Sequence, residues 1–435
     1  MVLIDKKEHI CKVFIETYGC TFNKADSEII AGYLVDNGVA LVDSIEKSDI
    51  AIINTCYVKN PTESKITNRI GKLQKNYPEV KIIVSGCMVE IDPEKLSKIA
   101  PNASWIGPHK LDSSFEVVKN TLNGVIQREC GFSSNPKVGL PKIRFDPLIH
   151  VIQICEGCLG ACTYCCTRFA RGYLQSYKSE DIMAEARQAI REGCVEIQLT
   201  AQDTAAYGKD TGEKLSDLIN DVASIEGNFR VRVGMMHPKN AMDDIDNLIE
   251  SFKLENVYSF VHLPIQSGSN KILNDMGREH TVEQYKNMVK KFKKEIPNIT
   301  IATDIIVGYP TESEEDFNKT VDLIEEIKPG IIHLSKYKHR KGALSSIFDE
   351  IPHNIMKKRS KHVNDIKSEI TKEENKSLVG TIQKALVVEV GSKSGFIAKT
   401  DSYIPVVIQE AELGTFVEVE ITEATSTYLK GKVKN

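Results

Sequence analysis

The first quarter of the chain alternates short apolar runs with segments of helical periodicity. The apolar runs are rich in β-branched residues, which favour strands, and the segments between them place apolar residues at helical spacing. Strands are predicted at 12–17, 49–54 and 81–86, and helices at 25–37, 62–75 and 93–100. This alternating order predicts an amino-terminal α/β domain with a doubly wound parallel sheet.

Each of these strands leads directly to a cysteine: Cys20 in TYGC, Cys56 in NTC and Cys87 in SGC. The carboxyl ends of parallel strands share one edge of a sheet, where ligands bind, so the three thiols are expected to line one crevice. The alternative is three separately buried cysteines, because free cysteine is often a core residue. Their equivalent position after three successive strands favours the shared crevice.

A second α/β series follows a Gly- and Pro-containing segment at 124–147, which predicts a linker. Six apolar runs recur with helical patterns between them, for example at 179–192. Such a series predicts a partial (β/α)6 barrel of parallel strands, with catalytic residues just after the strands. The six predicted strands lie at 150–154, 195–200, 229–234, 259–265, 299–308 and 331–337.

From about Thr381 the pattern changes to short strands without helices between them. Glycines punctuate these strands at Gly391, Gly395, Gly414 and Gly431. About fifty residues with this pattern predict a small antiparallel β-barrel at the carboxyl end.

The composition supports a folded chain of several domains. A length of 435 residues corresponds to about three domains. With 41% hydrophobic and 27% charged residues, and a mean hydropathy of −0.24, the chain is predicted to be globular. The charged amino terminus and the lack of a long apolar run predict a cytosolic protein without a membrane span. The net charge of −4 means that any nucleic-acid site must be local.

The 11 cysteines are too dilute for a disulfide framework, and cytosolic thiols stay reduced. Three of them, Cys158, Cys162 and Cys165, form a C-x3-C-x2-C loop immediately after the first strand of the second series. A structural zinc site normally needs four ligands, whereas this loop supplies three. Three thiolates on a four-iron cluster leave one iron open to chelate S-adenosylmethionine. The spacing, with an aromatic at Tyr164, closely resembles the radical S-adenosylmethionine superfamily.

The remaining five cysteines have no such pattern. Cys155 and Cys166 lie beside the loop as spare ligands or, more simply, as small packing residues, and Cys11, Cys130 and Cys194 have no partner pattern. All five are left out of the predicted site.

Over essentially its whole length the chain resembles the radical methylthiotransferases. The resemblance rests on the ordered motifs TYGCTFNKADSE, NTCYVKNP, SGCM, CLGACTYC, TAQDTAAYG, HLPIQSGS, MGR and TDIIVGYPTE, followed by a small terminal barrel. It implies an amino-terminal methylthiotransferase domain at 11–125, a radical core at 144–374 and a TRAM domain at 376–435 that contacts RNA. It also implies that Cys20, Cys56 and Cys87 hold a second [4Fe-4S] cluster beside the one on Cys158, Cys162 and Cys165.

The implied reaction replaces an aromatic C–H by C–SCH3, which side-chain acids and bases cannot achieve alone but a cofactor-derived radical can. The resemblance therefore implies two [4Fe-4S] clusters and S-adenosylmethionine as cofactors. The implied partners are a tRNA substrate, a low-potential electron donor of ferredoxin or flavodoxin type, and a sulfur donor.

Cofactor contacts are predicted at polar positions after or within the barrel strands. Tyr164 is a candidate for the adenine, and the segment from Thr200 through Ala201 to Gln202 for the methionine amino group, although the glycine-rich form of the superfamily is absent there. Each later candidate has an alternative role as a polar residue satisfied within the barrel. These later candidates are Arg232, Gln266, Ser267, Asp304 and Gly308.

The form of the motifs NTCYVKNP and TRFARGYLQSY resembles the archaeal and eukaryotic branch, which implies N6-threonylcarbamoyladenosine in tRNA as the substrate. The alternatives are isopentenyladenosine in tRNA and an aspartate of a ribosomal protein. Arg168 and Arg171 are candidate partners for the carboxylate of this substrate, since guanidinium binds carboxylate through two hydrogen bonds. Asn23 and Asp26 are further substrate candidates, with Asp26 alternatively a helix cap.

RNA contact is predicted near the terminal barrel. The segment 336–376 carries eleven Lys/Arg against six Asp/Glu, which indicates either a solvated helix face or a phosphate-binding surface. Phe396, Tyr403 and Phe416 are candidates for stacking on bases or, equally, for core packing. A rival of another class is an RNA-binding iron–sulfur protein that acts as a redox sensor.

Overall fold

The amino-terminal region is a three-layer α/β unit. The computed structural model describes residues 9–58, 60–392 and 394–434. Residues 1–8, Lys59 of the NTCYVKNP motif, and Lys393 and Asn435 of the predicted third domain lie outside the described residues. The elements of this region are β1 (Lys12–Thr17), α1 (Thr21–Asp36), β2 (Ala40–Val42), β3 (Ile50–Thr55), α2 (Asn60–Asn76), β4 (Lys81–Gly86), α3 (Cys87–Ile91), α4 (Pro93–Ile99), β5 (Ser104–Ile106), α5 (Ser114–Leu122) and β6 (Arg128–Glu129).

The six strands form one parallel sheet in the order β2-β1-β3-β4-β5-β6. The three predicted strands β1, β3 and β4 are its centre, and every residue of β3 is buried, as expected when helices cover both faces. The predicted linker is corrected in one respect. Within it, Arg128–Glu129 adds an edge strand, and the Arg128 guanidinium lies 4.1 Å from the ring centroid of Trp105 on β5.

The middle region is a partial barrel of six parallel strands with helices outside, as predicted. Its elements are β7 (Ile149–Gln153), β8 (Cys155–Glu156), α6 (Thr167–Arg171), β9 (Gln175–Ser176), α7 (Ser179–Arg191), β10 (Glu196–Thr200), α8 (Leu215–Ala223), β11 (Arg230–Val233), α9 (Pro238–Met242), α10 (Ile245–Phe252), β12 (Phe260–His262), α11 (Asn270–Asp275), α12 (Val282–Glu295), β13 (Thr300–Val307), α13 (Glu314–Ile327), β14 (Ile331–Lys336) and α14 (His353–Ser377).

The barrel strands pair as two sets of three, β11-β10-β7 and β12-β13-β14, and all these pairs are parallel. A single bridge between Val231 and Val257 joins the two sets. Apolar side chains of the strands and of the surrounding helices form one continuous core. The short β8 and β9 pair with each other and brace the cysteine loop between them.

The carboxyl-terminal region is a closed five-stranded barrel. Its strands are β15 (Ile382–Val390), β16 (Phe396–Thr400), β17 (Pro405–Ile408), β18 (Phe416–Ala424) and β19 (Leu429–Val433). They close in the order β15-β16-β17-β19-β18, and the β17–β19 pair is parallel while the others are antiparallel. The parallel pair arises because β18 crosses to the far side of the barrel before β19 returns beside β17.

The terminal barrel docks on the amino ends of the partial barrel's strands. The Arg230 guanidinium, at the start of β11, lies 2.7 Å from the Asp401 carboxylate, and Lys399 lies 3.0 Å from Glu196 at the start of β10. Tyr403 packs against the rings of Tyr258 and Phe260. The terminal barrel therefore closes the end of the partial barrel opposite the cysteine loop.

This docking changes the interpretation of the three aromatic candidates for base stacking. Tyr403 lies in the interface, and Phe416 lies under the guanidinium of Arg230, at 4.7 Å from the ring centroid. Phe396 packs against the core of the terminal barrel. The predicted stacking on RNA is corrected to a structural role, because these rings already pack against protein groups.

The long helix α14 connects the two ends of the partial barrel. Its 25 residues span about 37 Å at 1.5 Å per residue. Met356 near its start lies against Gly308, just after β13, and Asn375 near its end donates a hydrogen bond to the Thr425 carbonyl of the terminal barrel. Neither α14 nor any other described helix combines the length and the apolar character that crossing a lipid bilayer requires.

We predict that Lys399→Met destabilises the protein by about 3 kcal/mol, because it leaves the buried Glu196 carboxylate with neutral hydrogen-bond donors only. Thermal and denaturant unfolding would measure the loss, and Lys399→Met/Glu196→Gln should recover most of it. Lys430→Met, which removes an exposed pair with Glu423, is the matched control and should cause no measurable change. Equal effects of the two lysine variants would contradict the prediction.

Candidate functional site

The first three predicted cysteines follow three adjacent strands of the amino-terminal sheet. Cys20 caps α1 after β1, Cys56 follows β3, and Cys87 begins α3 directly after β4. Gly19 has a φ of 124°, and a Cβ atom on it would lie 2.7 Å from the Cβ of Cys56. The loops therefore approach so closely that only glycine fits, and the three cysteines share one sheet edge as the sequence predicts.

These thiols also influence one another. Burial, together with smaller effects of the nearby Cys87 and Cys20, raises the pKa of Cys56 to about 12. Burial likewise raises the pKa of Cys87, while the Arg171 guanidinium opposes that rise. The buried thiols of Cys56 and Cys87 therefore ionise less readily than free thiols, but iron would displace their protons on binding.

The second triad occupies the loop between β8 and α6, at the carboxyl end of the first barrel strand. Backbone amides point at two of its sulfurs: Gly160 N donates to Cys158 Sγ at 3.3 Å, and Thr167 N donates to Cys165 Sγ at 3.4 Å. The guanidinium of Arg278 donates to Cys162 Sγ at 3.6 Å. Hydrogen bonds to thiolate sulfur are typical of iron–sulfur sites, so the donor set fits such a cluster.

Neither triad fits a single metal ion. Within the described ranges, no group of three His, Cys, Asp or Glu side chains is placed to hold one ion. One ion would need every sulfur within about 2.3 Å of the same point. In a four-iron cluster each cysteine would bind a different iron, so a cluster does not require the three sulfurs to converge on one point.

The two triads lie on facing loops. Cys166, next to Cys165, lies with its sulfur 3.9 Å from the carbonyl of Tyr57, next to Cys56. Arg171, at the end of α6, influences both Cys56 and Cys87. The fold therefore brings together the two cysteine sets that the sequence predicts.

A buried charge lattice joins these loops; we use this name for Asp26, Lys137, Glu156 and Arg171. Arg171 lies 2.8 Å from Asp26 and 2.9 Å from Glu156, and Lys137 lies 2.9 Å from Asp26 and 2.8 Å from Glu156. All four residues are at most 3% exposed. Two acids and two bases therefore neutralise one another between the amino-terminal unit and the partial barrel.

The lattice corrects several predicted substrate contacts. Arg171 is held by two carboxylates in the interior, so it is not available to a substrate carboxylate. Asp26 lies in the second turn of α1, which starts at Thr21, so it is neither a helix cap nor a surface group. Asn23 is also buried and donates to the Thr55 carbonyl at 2.9 Å, which ties α1 to β3.

Arg168 remains at the surface of the site. It is partly exposed, and its guanidinium lies 5.1 Å from the ring centroid of Tyr173, which is 76% exposed.

Several predicted cofactor residues do gather at the carboxyl end of the barrel strands. Gln202 accepts a hydrogen bond from Gly157 N at 2.7 Å, beside the cysteine loop. The Asp304 carboxylate lies 2.5 Å from Nε2 of His262. Gln266 adopts a left-handed φ of 78°, and its backbone N–H donates a hydrogen bond to the backbone carbonyl of Asp304. Thr200 is the last residue of β10, and its backbone carbonyl accepts a hydrogen bond from Ile154 N, just after β7.

The remaining cofactor candidates are placed differently. Tyr164 packs against Ile272 and its neighbours below the loop. The guanidinium of Arg232 lies between Phe260 and Tyr403, on the side of the terminal barrel, so the structure does not bring it to the cysteine loop. Ser267 is buried in hydrogen bonds with Ser269 and Thr320. Gly308 is the position against which Met356 packs, so its predicted role is replaced by a packing one.

The sequence reasoning missed Arg278. It belongs to the MGR motif, yet nothing in its spacing distinguishes it from an exposed arginine between two helices. In the structure it is 4% exposed and points at Cys162. The sequence feature that could have identified Arg278 is the MGR motif itself, which is one of the motifs shared with the family.

Three family models match the chain. The model of an uncharacterised family, UPF0004, matches residues 12–107, that of the radical SAM superfamily residues 152–324, and that of the TRAM domain residues 376–434. These segments correspond to the sheet unit, the partial barrel and the closed terminal barrel.

Among solved structures, the fold resembles a radical S-adenosylmethionine methyltransferase, TsrM, from Kitasatospora setae, with a TM-score of 0.56 at 11% identity over 77% of this chain and 74% of that one. It also resembles the cobalamin-dependent radical enzyme OxsB, with a TM-score of 0.55 at 12% identity over 82% of this chain and 56% of that one. At such identities the likeness shows the fold alone.

Curated relatives match over nearly the whole chain. A probable threonylcarbamoyladenosine tRNA methylthiotransferase of Methanothermobacter thermautotrophicus is 58% identical over 96% of this chain and 98% of its own length. The human threonylcarbamoyladenosine tRNA methylthiotransferase is 35% identical over 97% of this chain and 74% of its own length. With the cysteine loop at the head of a radical SAM barrel, these matches show that the chain belongs to the threonylcarbamoyladenosine tRNA methylthiotransferases, a family of radical S-adenosylmethionine enzymes.

Proposed function

We propose that this enzyme transfers a methylthio group to C2 of N6-threonylcarbamoyladenosine, at the anticodon-adjacent position of tRNA, with two [4Fe-4S] clusters and S-adenosylmethionine. The observation that carries the proposal is the pair of facing cysteine triads, one at the edge of the sheet and one at the head of the barrel. The names of the curated relatives support the substrate.

In this proposal the residues of the chain hold and orient the reactants. Cys20, Cys56 and Cys87 would hold one cluster, and Cys158, Cys162 and Cys165 the other. When bound, the clusters would supply the electron that cleaves S-adenosylmethionine and the sulfur that is transferred. Cys56 and Cys87 are buried, while Cys20 and the second triad keep contact with solvent, which leaves the side open from which substrate and cofactor would enter.

The charge lattice fixes the distance between the triads. Asp26 lies six residues after Cys20, and Arg171 lies six residues after Cys165. Because the two residues form a buried ion pair, a shift of either loop would separate charges in a medium of low polarity. The orientation of the methylthio source relative to the radical source would thus be set before substrate binds.

The remaining contacts belong to the same proposal. Gln202, Asp304 and Gln266 would bind the cofactor at the barrel end, and Arg168 would face the substrate carboxylate. Reductive cleavage consumes an electron, and each turnover removes a sulfur, so an electron donor of ferredoxin or flavodoxin type and a sulfur donor are required. A tRNA substrate also agrees with the cytosolic location that the sequence predicts.

We predict that Cys20→Ala/Cys56→Ala/Cys87→Ala lowers the iron content after anaerobic reconstitution from about eight to about four atoms per chain. The variant should still form 5′-deoxyadenosine in the presence of a reductant, because the other triad is intact, but it should form no methylthio product. Cys11→Ala, at a buried cysteine outside both triads, is the control. An unchanged iron content in the triple variant would exclude a cluster at this site.

The radical chemistry can be distinguished from a redox-sensing role by the same assay. The enzyme should form 5′-deoxyadenosine with both clusters loaded and a reductant present. Complete absence of that product would favour the RNA-binding iron–sulfur sensor.

We predict that deletion of the gene removes the methylthio form of threonylcarbamoyladenosine from tRNA and leaves the unmethylthiolated nucleoside. Mass spectrometry of nucleosides from digested tRNA would measure both. Loss of methylthiolated isopentenyladenosine, or of a methylthiolated ribosomal protein aspartate, would instead identify one of the two alternative substrates. Persistence of the methylthio nucleoside would overturn the substrate assignment.

A further inference from the structure

The structure assigns RNA contact to a rim surface at the cluster end of the partial barrel, opposite the terminal barrel. We define the rim surface as Lys357, Lys358 and Lys361 of α14, Phe348 before it, and the Arg168–Tyr173 pair. A tRNA loop is taken as the partner because the proposed function requires one. The rim surface is the face of the enzyme that would bind it.

The first three turns of α14 carry unneutralised positive charge. Lys357, Lys358 and Lys361 are exposed and form no ion pair with any described residue. The stretch from His353 to Asn364 contains no acidic residue. Arg359 is the exception among its cations, because it turns inward to Glu312 and Glu314. The helix therefore presents three lysines and no acidic residue of its own on the outward side of these turns, with the exposed Glu314 beside them on Arg359.

This face lies at the reactive end of the barrel. Arg359 binds Glu312, which follows the carboxyl end of β13, and Ser345 N, in the loop before α14, donates to the Thr163 carbonyl inside the cysteine loop. The helix that carries the lysines therefore begins beside the loops at the carboxyl ends of the strands, where the second triad lies.

Exposed rings accompany the lysines. Phe348 is 47% exposed, and Tyr173 is 76% exposed under the guanidinium of Arg168. A Cβ atom on Gly342 would lie 2.8 Å from the ring of Phe169, so the loop before α14 touches the helix that carries Arg168. Unpaired RNA bases stack on such rings and on guanidinium planes. A single-stranded loop flanked by phosphates therefore matches this surface in charge and in its exposed rings.

The described residues of the terminal barrel carry less of both features: Lys432 is exposed without an ion pair, and Tyr428 is 36% exposed. Its Lys384, Lys399, Lys430 and Lys434 each pair with a glutamate. Its described residues from 382 to 434 hold five Lys against seven Asp/Glu, and Tyr403 and Phe416 are used in docking. Along α14, Lys357 is also about 27 Å from Asn375, which contacts the terminal barrel.

The test is tRNA binding by the reconstituted full chain, measured over a range of salt concentrations. Lys357→Glu/Lys358→Glu/Lys361→Glu should weaken binding of threonylcarbamoylated tRNA at least tenfold. It should also reduce the slope of log K against log salt by about 2, since each lost phosphate contact removes about 0.7. Phe348→Ala and Tyr173→Ala should weaken binding of an anticodon-arm RNA about tenfold and leave binding of a plain RNA duplex unchanged.

Two triple variants serve as controls, with melting temperature and iron content as checks on folding. Lys290→Glu/Lys291→Glu/Lys294→Glu reverses three exposed lysines on α12 and should leave tRNA affinity near that of the wild type. Lys430→Ala/Lys432→Ala/Lys434→Ala tests the terminal barrel. Loss of affinity in that variant, with full affinity in the α14 variant, overturns the inference. Wild-type enzyme that binds tRNA without forming the methylthio nucleoside would instead refute the proposed function and leave the surface standing.

A separate observation concerns Arg278, and from it we infer that Arg278 is a positioning residue that supplies the counter-charge of the cluster on Cys158, Cys162 and Cys165. Its guanidinium is buried, yet it forms no ion pair with any described Asp or Glu. It donates to Cys162 Sγ and to the Pro264 carbonyl, and its Nε atom has no hydrogen-bond partner among the described residues. A buried cation without an anion is costly, so an anion is expected beside it.

The surroundings of Arg278 show how strong this uncompensated charge is. Burial lowers the pKa of His237 to about 2 and that of His280 to about 4, and in both cases Arg278 is the next cause. These neighbours are therefore neutral donors or acceptors and not counter-ions. The Asp203 carboxylate acts on Arg278 only through space and is held by His237 N, Ala205 N and Asn240. The thiolates, and the cluster that they would hold, are therefore the anionic group in contact with Arg278. This arrangement contrasts with Arg171, whose charge is neutralised by Asp26 and Glu156.

The test measures the midpoint potential of this cluster by EPR-monitored redox titration, in the Cys20→Ala/Cys56→Ala/Cys87→Ala background that holds only this cluster. Removal of a cation and of a hydrogen bond to sulfur makes reduction harder. Arg278→Gln should therefore shift the reduction equilibrium about tenfold towards the oxidised cluster, which is about 59 mV. Arg278→Lys should shift it less, and Arg187→Gln, at an exposed arginine of α7, should not shift it.

An unchanged potential in both Arg278 variants with full iron content would refute the role. If Arg278→Gln holds no iron, the potential of Arg278→Lys decides the question. Absence of any cluster in the background protein would contradict the proposed function itself.

Discussion

The buried charge lattice is the interaction on which the geometry of the site depends. Its four members come from α1, the segment after β6, β8 and α6, and each is almost fully removed from water. Burial of four charges is costly, and their mutual attraction offsets the cost only when all four are in place. The lattice therefore specifies one arrangement of the sheet unit on the partial barrel. Because Cys20 and Cys165 lie just before two of its members, that arrangement also fixes the relation between the triads.

The two ends of the partial barrel differ in structure, because the terminal barrel covers one end and leaves the other open to the loops that carry the cysteines. At the amino ends of the strands, Glu196 and Arg230 are paired with Lys399 and Asp401, so that end is closed and serves stability. At the carboxyl ends the loops carry cysteines, hydrogen-bond donors to sulfur and exposed rings. This separation is typical of (β/α) barrels, in which the loops after the strands vary with the chemistry while the opposite face supports the fold.

The sequence predicted those features that depend on local pattern. Periodicity located β1, β3, β4 and all six barrel strands, and cysteine spacing located both triads. The two- and three-residue strands β2, β5 and β6 are too short to show a period. Long-range ion pairs have no local signal at all: Asp26 and Arg171 lie 145 positions apart, and each alone is typical of a helix surface. For the same reason Lys137 was assigned to a linker although it is buried between two carboxylates.

The acidic net charge of −4 is compatible with an RNA substrate once the cations are sorted by their partners. Arginine and lysine in the lattice, at the terminal interface and in the loop that binds Glu63 and Asp92 serve the fold, and their charge is neutralised within the chain. The lysines at the start of α14 keep theirs. In a protein of negative net charge, a cluster of lysines without ion pairs attracts phosphates locally, while the net charge repels them. Such a field would orient tRNA so that its loop meets the carboxyl ends of the strands, where both triads lie.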